Sequence, residues 1–269
     1  MNKILILPRL TVLFCFCAFQ LNAQDLVILH TNDMHSQMEA FTSGRNAGTG
    51  GMLALSGYIR QVREENDHVL YLDAGDYNQG TPYFNLFGGM MEVELLNTMG
   101  LNATTLGNHE FDNGMEDLVK RLSRAKYQTL CANYDIHYRP LKRLVKPYAI
   151  FKAGDIKIGV IGLTLDLTGY TSGTVLEKLT YHDPVEVAEE LAIKLKKKGC
   201  RMIICLTHLG LETDKVLAEN SRNIDLIIGG HSHTFLENAE HCLNLEGKDV
   251  TIVQTGANTV YTGRIDINF

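Results

Sequence analysis

The sequence contains no tryptophan, only five prolines among its 269 residues, and no excess of positive charge. With so little proline and no low-complexity stretch, nothing divides the chain beyond its N-terminus into units joined by a linker. A formal net charge of −6 leaves no broad basic surface for a phosphate backbone, so stable nucleic-acid binding is not expected. After the N-terminus, no apolar run is long enough to span a bilayer.

The N-terminus has the pattern of a secretory signal peptide. Two basic residues flank the start of an apolar run at residues 10–19, and the first acidic residue is Asp25. Such a run is too short to remain in a membrane, and cleavage after Ala23 would place a small residue at the cut. We therefore predict a signal peptide over residues 1–23, a single folded domain over residues 24–269, and an exported protein that is periplasmic or secreted.

Apolar runs rich in β-branched residues alternate with amphipathic stretches along this domain, which indicates an α/β fold. The pattern predicts strands at residues 26–29, 69–72, 103–106, 129–132, 156–163, 202–206, 224–228 and 250–253. Helical spacing occurs at residues 52–65, 90–99, 115–125 and 184–198, the last with Asp183 as its N-cap. Two apolar runs around Gly154 predict a β-hairpin, so the sheets are expected to be mixed.

Polar residues that can bind metal follow five of these strands, each just past the carboxyl end. They are Asp33 and His35, then Asp76, then the run from Asn108 to Asp112, then His208, and finally His231 and His233. In an α/β sheet the carboxyl ends of the strands form one crevice where ligands bind, so these side chains are expected to lie together. One histidine beside a strand is an ordinary structural residue, whereas five such coincidences predict a site.

The chemistry of this set favours divalent transition metals. Imidazole, carboxylate and carboxamide ligands suit zinc, manganese or iron, whereas magnesium and calcium sites are dominated by oxygen. Cysteine is absent from the set, which argues against a closed structural zinc site and for an open one. Gly75, Gly107, Gly229 and Gly230 are expected to let the backbone turn sharply behind the ligands.

Three neighbouring polar residues are interpreted as structural. His30 ends a predicted strand and is interpreted as a buried structural histidine, and Asp73 has a strand-like spacing that points it away from the neighbours of Asp76. Glu110 lies within the third cluster, where we expect it to support the ligands and not to bind metal.

The five blocks, taken in order, resemble the calcineurin-like metallophosphoesterases: Asp-x-His, Gly-Asp, Gly-Asn-His-Glu, a lone histidine after a strand, and Gly-His-x-His. The segments 30–35, 107–112 and 254–256 are most similar to the N-terminal catalytic domain of the periplasmic 5′-nucleotidase family. This resemblance implies a four-layer αββα sandwich with mixed sheets over essentially the whole predicted mature chain.

The resemblance also implies a role for each residue of the five blocks. It assigns one divalent ion to Asp33, His35 and His233, a second to Asn108, His208 and His231, and the bridge to Asp76. The two ions would share a hydroxide that attacks the phosphorus of a phosphate ester. His109 would stabilise the developing charge and assist the leaving group, and Asp112 would orient His109. Asn108, His109 and Asp112 are therefore the candidate catalytic residues.

The substrate implied by the resemblance is a phosphate monoester, foremost a nucleotide. Relatives that hydrolyse nucleotides typically continue into a second domain that binds the base, and we expect this chain to lack that domain, so a separate exported chain is a possible source of base recognition. Two alternatives stay open. One is a phosphodiesterase or sugar phosphatase with the same metal site, and the other is a non-catalytic metal-binding subunit.

Overall fold

Two six-stranded sheets face each other in the computed structural model, which describes residues 25–269. The predicted signal peptide, residues 1–23, lies outside the described residues. The strands are β1 Asp25–Thr31, β2 Val69–Asp73, β3 Ala103–Thr105, β4 Gln128–Leu130, β5 Tyr134–Ile136, β6 Val145–Lys146, β7 Tyr148–Ala153, β8 Ile156–Thr164, β9 Leu179–Tyr181, β10 Cys200–His208, β11 Leu226–Ile228, β12 Glu240–Leu243, β13 Asp249–Val253 and β14 Gly263–Asn268. The helices are α1 Met52–Glu65, α2 Pro82–Phe87, α3 Met90–Met99, α4 Gly114–Leu122, α5 Arg139–Lys142, α6 Gly173–Leu176, α7 Pro184–Lys197 and α8 Leu211–Glu219.

Both sheets are mixed, as the hairpin signal predicts. The first has the order β14-β1-β2-β3-β4-β6 and is parallel except for β14, which is antiparallel to β1. The second has the order β12-β13-β11-β10-β8-β7, with β12 and β7 antiparallel to their neighbours. Since Ala153 pairs with Ile156, β7 and β8 form the predicted hairpin with a turn of two residues.

The four-layer αββα sandwich is confirmed by how the apolar side chains divide between the faces. Along β1, Leu26 and Ile28 pack into the core between the two sheets. The alternate residues Val27 and Leu29 instead pack against helices α1 and α3. Burial on both faces explains why residues 26–29 of this strand are all apolar and do not alternate with polar residues. Helices α7 and α8 cover the outer face of the second sheet.

Several elements differ from the sequence prediction. Helix α4 ends at Leu122, three residues before the predicted end, and β4 ends at Leu130. The short helices α2 and α8 and the β5-β9 pair were not predicted, since short segments carry too little periodicity to be recognised. Asp183 is the predicted N-cap of α7, and its carboxylate accepts hydrogen bonds from the amides of Val185 and Glu186.

Within residues 25–269, none of the helices has both the length and the apolar character that a membrane span requires.

The carboxyl ends of five strands meet in one region. The parallel strands β1, β2 and β3 of the first sheet all end on the same side, and β10 and β11 of the second sheet bring their carboxyl ends to the same region. Residues that follow these five strands therefore converge across the two sheets.

Candidate metal centre

The first group of candidate ligands consists of Asp33, His35 and His233. The Nε2 atoms of the two histidines lie 2.9 Å apart, and Asp33 Oδ1 lies 3.4 Å from His233 Nε2. The ligand atoms of the three side chains are all within 4.8 Å of one another. Two imidazole nitrogens and a fully buried carboxylate oxygen thus point at a common space, which suits a shared cation.

The second group consists of Asp76, His208 and His231, and it meets the same distance criterion of 4.8 Å. His208 Nε2 lies 3.0 Å from Asp76 Oδ2, and it is also 3.9 Å from Asp33 Oδ1 of the first group. The two groups are therefore neighbours. Asp76 is the carboxylate that the resemblance assigns to both ions, and it is almost completely buried.

Unsatisfied polar atoms at the centre fit a metal site. Asn108 Oδ1 is buried without a hydrogen-bond partner among the described residues, and His208 Nε2, 3.0 Å from Asp76 Oδ2, makes no well-directed hydrogen bond. Leaving such atoms without a partner destabilises a fold, so their presence calls for a ligand. Two carboxylates, four imidazoles and one carboxamide make a donor set suited to two divalent ions, whose combined charge would exceed that of the carboxylates and attract an anionic phosphoryl group.

The pKa shifts of His208, Asp76 and His233 also indicate a site that attracts cations. Burial disfavours the charged imidazole of His208, yet the carboxylates of Asp76 and Asp33 raise its pKa to about 10. Burial would raise the pKa of Asp76, but the neighbouring His208 lowers it below the ordinary value. A hydrogen bond to Asp33 likewise raises the pKa of His233. The carboxylates thus hold positive charge beside them, and a divalent cation would take the place of these protons.

The backbone at the ligands is unusual. Asp33, His35, Asp76, His231 and His233 all have positive φ angles, between 47° and 75°. Residues other than glycine rarely adopt this left-handed region, and those that do cluster at functional sites. Five strained positions therefore coincide with five of the seven predicted ligands.

Three glycines behind the ligands serve a different purpose from the one predicted. Only Gly75 has a positive φ, 87°, and so makes the sharp turn. At Gly107 and Gly229 a Cβ atom would collide with the carboxylates of Asp76 and Asp214, respectively. At Gly230 it would lie 2.8 Å from the carbonyl oxygen of Ala74. These three positions therefore need glycine because neighbouring groups approach closely.

Glu110 supports the centre as predicted from its place in the third cluster. Its Oε2 accepts hydrogen bonds from the amides of Asp76, at 2.9 Å, and Gly107, at 2.7 Å. Its Oε1 accepts from Asn78 Nδ2 at 3.2 Å, and the Arg121 guanidinium donates to the Glu110 carbonyl oxygen. One buried carboxylate thereby joins the loop that carries Asp76 to the loop that carries Asn108.

His109 and Asp112 form a pair at the edge of the centre. His109 Nδ1 donates to Asp112 Oδ2 at 2.8 Å, and this hydrogen bond raises the pKa of His109. The backbone amide of His109 donates to Asp76 Oδ1 at 2.9 Å, and its ring lies 5.4 Å from that of His35. The imidazole is partly exposed, so its Nε2 remains available to a bound molecule.

The other two structural interpretations agree with the contacts. His30 is buried, and burial lowers its pKa to about 4, so it is a neutral core residue. Asp73 accepts hydrogen bonds from the hydroxyls of Thr31 and Thr104 and from the amide of Gly75, and it belongs to neither ligand group.

Three residues near the centre were missed from the sequence. Gln254 donates to the Gly230 carbonyl oxygen and accepts from Ser232 Oγ, which holds the loop of the last two histidines. Asp214 is buried and accepts a hydrogen bond from Thr207 Oγ1 at 2.6 Å. Tyr170 places its ring 5.3 Å from that of His231. Only Gln254 carried a signal, because it begins the segment 254–256.

Comparison with known proteins agrees with this geometry. Residues 26–235 match the family described as calcineurin-like phosphoesterase. The mouse 5′-nucleotidase is 34% identical over 273 residues, which cover 92% of this chain and 47% of that protein. The crystal structure of a 5′-nucleotidase precursor from Thermus thermophilus superposes with a TM-score of 0.84 at 33% identity, over 91% of this chain and 51% of that one. A Haemophilus influenzae NAD nucleotidase gives the same TM-score at 31% identity, over 92% and 48%. The chain thus spans about half the length of these relatives.

Proposed function

Because the chain belongs to the calcineurin-like phosphoesterase family, we propose that it hydrolyses phosphate monoesters, foremost nucleotides, at a centre of two divalent metal ions. The observation that carries this proposal is the pair of adjacent ligand groups, with His208 Nε2 3.9 Å from Asp33 Oδ1 across the boundary between them. Support for nucleotides comes from the relatives, which are named 5′-nucleotidase or NAD nucleotidase.

In this proposal Asp33, His35 and His233 would hold one ion, Asn108, His208 and His231 would hold the other, and Asp76 would contribute to both. The share of imidazole favours zinc, manganese or iron. Two such ions, when bound, lower the pKa of a shared water and neutralise charge on the phosphoryl oxygens.

The chain's own residues then orient the reactants. Glu110 accepts hydrogen bonds from the backbone amides of Asp76 and Gly107. These bonds hold the loop of Asp76 and so fix the position of the Asp76 carboxylate. His109, held by Asp112 and charged more readily because of it, presents Nε2–H to the ester oxygen. Water supplies the oxygen that forms the new bond to phosphorus. The ester oxygen leaves with the electrons of its bond to phosphorus and takes a proton from His109. The proton lost by the attacking water is returned to His109 through solvent.

Export and a partner belong to the same proposal. The predicted signal peptide would direct the chain out of the cytoplasm, where a separate exported chain would provide contacts to the base. Such a chain would dock over the loops that carry His35, Asn108 and His231, since these loops border the metal centre.

The test is a substrate screen of the chain lacking residues 1–23, loaded with zinc or manganese. The panel contains nucleoside 5′-monophosphates, cyclic nucleotides, sugar phosphates and an aryl phosphate. Turnover of monoesters, with nucleotides among the best substrates, is the expected result. Preference for cyclic nucleotides would identify a phosphodiesterase instead. A chain that holds two ions and turns over none of the panel would contradict the proposal and favour a metal-binding subunit.

A further inference from the structure

A polar cavity of about 300 Å³ opens beside the metal centre. It is lined by Asp112 and by four consecutive residues of one loop, Gly169, Tyr170, Thr171 and Ser172. Two of its lining residues, Asp112 and Tyr170, contact residues of the metal centre. Asp112 holds His109 through its Oδ2, and the Tyr170 ring lies edge-on to the His231 ring at 5.3 Å and 79°. A group in this cavity would therefore be next to both His109 and the second ligand group.

The loop that forms the cavity wall is fixed to the strand that carries His208. The amide of Leu165 donates to the His208 carbonyl oxygen at 3.1 Å. The hydroxyl of Tyr134 donates to the Leu165 carbonyl oxygen at 2.9 Å and accepts from the Leu167 amide at 2.8 Å. Leu167 itself is fully buried. Residues 165–167, which lead into the cavity wall, are thus held in place, and the Tyr170 amide donates to the Leu167 carbonyl oxygen at 3.0 Å. Holding part of the wall in place before a ligand binds reduces the entropy lost on binding.

The lining offers hydroxyl groups and a carboxylate. Tyr170, Thr171 and Ser172 contribute three hydroxyls that can donate or accept, of which Ser172 Oγ lies 3.0 Å from Thr174 Oγ1. No lysine or arginine is among the lining residues. While Asp112 Oδ2 accepts from His109, its Oδ1 has no hydrogen bond within the described chain. A second phosphate would find no cation here and would face a carboxylate. A neutral group with several hydroxyls, in contrast, would find both donors and acceptors.

From this lining we propose that the cavity is the leaving-group subsite and seats the sugar hydroxyls of the alcohol half of a phosphate ester. The inference rests on the proposed function, since the phosphoryl group would lie at the metal ligands. The cavity is at the small end of ligand pockets, which span about 300–1,000 Å³. Its volume is sufficient for a single sugar.

The test compares a phosphate ester whose leaving group carries sugar hydroxyls with one whose leaving group carries none. Variants Thr171→Val, Ser172→Ala and the double variant are assayed, metal-loaded, on ribose 5-phosphate and on 4-nitrophenyl phosphate. We expect kcat/KM for ribose 5-phosphate to fall about fivefold for each single change and further for the double variant. On the aryl phosphate, which lacks these hydroxyls, kcat/KM should stay within about twofold of the parent because the metal centre is untouched.

Thr168→Val is the matched control, because Thr168 lies on the same loop, is exposed, and does not line the cavity. It should leave both substrates unaffected. Equal losses on the two substrates would show that the loop acts through the metal centre and would overturn the subsite. Unchanged kinetics for the double variant on ribose 5-phosphate would overturn it as well.

Failure of the proposed function has a different outcome. If the parent chain hydrolyses neither substrate, the hydrolase proposal is wrong. Whether the cavity binds a sugar is then tested by ligand binding alone. D-ribose is then titrated into the metal-loaded chain and followed by amide NMR. Chemical-shift changes at residues 169–172 that the double variant abolishes would support a sugar subsite, and their absence in the parent would overturn it.

Discussion

His208 Nδ1 lies 2.7 Å from the backbone carbonyl oxygen of Ala74. A carbonyl can only accept, so Nδ1 carries a proton, and Nε2 is the nitrogen that would bind a metal once its own proton is displaced. Ala74 follows β2 in the first sheet, whereas His208 ends β10 in the second. The backbone of one sheet thus sets the tautomer of a ligand on the other. The metal centre therefore depends on how the two sheets are packed.

The first prediction is that activity requires two metal ions. Asp76 can serve both ions only if both ligand groups are filled, so we expect close to two ions per active chain by elemental analysis. Removing them should abolish turnover and lower the melting temperature, because a ligand that binds only the folded state stabilises it. Full activity with one ion, or after complete chelation, would contradict the two-metal assignment.

The second prediction separates catalysis from metal binding. His109→Ala should lower kcat by about 10²–10⁴-fold on a substrate with a poor leaving group, as expected for a lost general acid. Its metal content should stay unchanged, because His109 belongs to neither ligand group. His208→Ala should lose metal as well as activity. Kinetics with parallel metal analysis measure both effects.

His137→Ala is the control for these variants, since His137 is exposed and its Nε2 bonds only to Thr180. It should match the parent in both measurements. If His109→Ala turned over a poor leaving group at the parent rate, the catalytic assignment of His109 would be wrong.

The third prediction uses the close approach at Gly107. In Gly107→Ala the new methyl group would meet the Asp76 carboxylate and lie 2.7 Å from its amide nitrogen. Since φ at Gly107 is not in the left-handed region, the effect would come from this contact alone. We expect a lower melting temperature and loss of metal, measured by thermal unfolding and elemental analysis.

Gly57→Ala is the matched control, because a Cβ at this position in α1 would have no atom within 4 Å. Alanine is favoured over glycine in a helix by about 0.8–1 kcal/mol, so this variant should be slightly more stable than the parent. Equal metal content in the two glycine variants would show that Asp76 can move, and the close-approach argument would fail.

Much of the fold was predictable because its strands carry strong local signals. The apolar runs of β1, β8 and β10 and the capped helix α7 needed only nearby residues to be recognised. In contrast, the β5-β9 pair joins Tyr134 to Tyr181, and no local pattern specifies so distant a partner. The short helix α8 has nine residues, which give a weak period.

In the candidate site, too, the residues that lie in local motifs were predictable, and those placed by packing were not. The candidate ligands were found because each follows a strand within a short motif, and strand ends converge. Their assignment to two ions stays a prediction, although the structure brings Asp33 next to His233 and Asp76 next to His208. Asp214 was missed because its partner, Thr207, lies at the end of the preceding strand and no motif links them. Contacts that depend on packing leave no trace in sequence spacing.

The last prediction concerns Asp73, which is fully buried beneath the loop of Asp76. Burial raises its pKa to about 7, although hydrogen bonds from Thr31 and Thr104 and from the Gly75 amide oppose the shift, and the nearby Glu110 adds to it. The folded chain thus binds this proton more tightly than the unfolded chain, whose carboxyl titrates near 3.8. Between these two values the stability should fall as pH rises, by at most about 1.4 kcal/mol per pH unit.

Asp73→Asn should remove this contribution, because the amide cannot ionise and can keep the hydrogen bonds. Its oxygen would accept from Thr104 and Gly75, and its NH₂ group would donate to Thr31 Oγ1, which can turn its own proton toward the Tyr71 hydroxyl 3.0 Å away. We expect the variant to gain stability relative to the parent at pH 8 and to gain less at pH 5. Urea unfolding at both pH values, in the presence of a chelator, measures this difference, and exposed Asp25→Asn is the control. The stability difference between Asp73→Asn and the parent could instead be the same at pH 5 and pH 8. Asp73 would then not titrate between pH 5 and pH 8 in the folded chain, which would contradict a pKa raised to about 7.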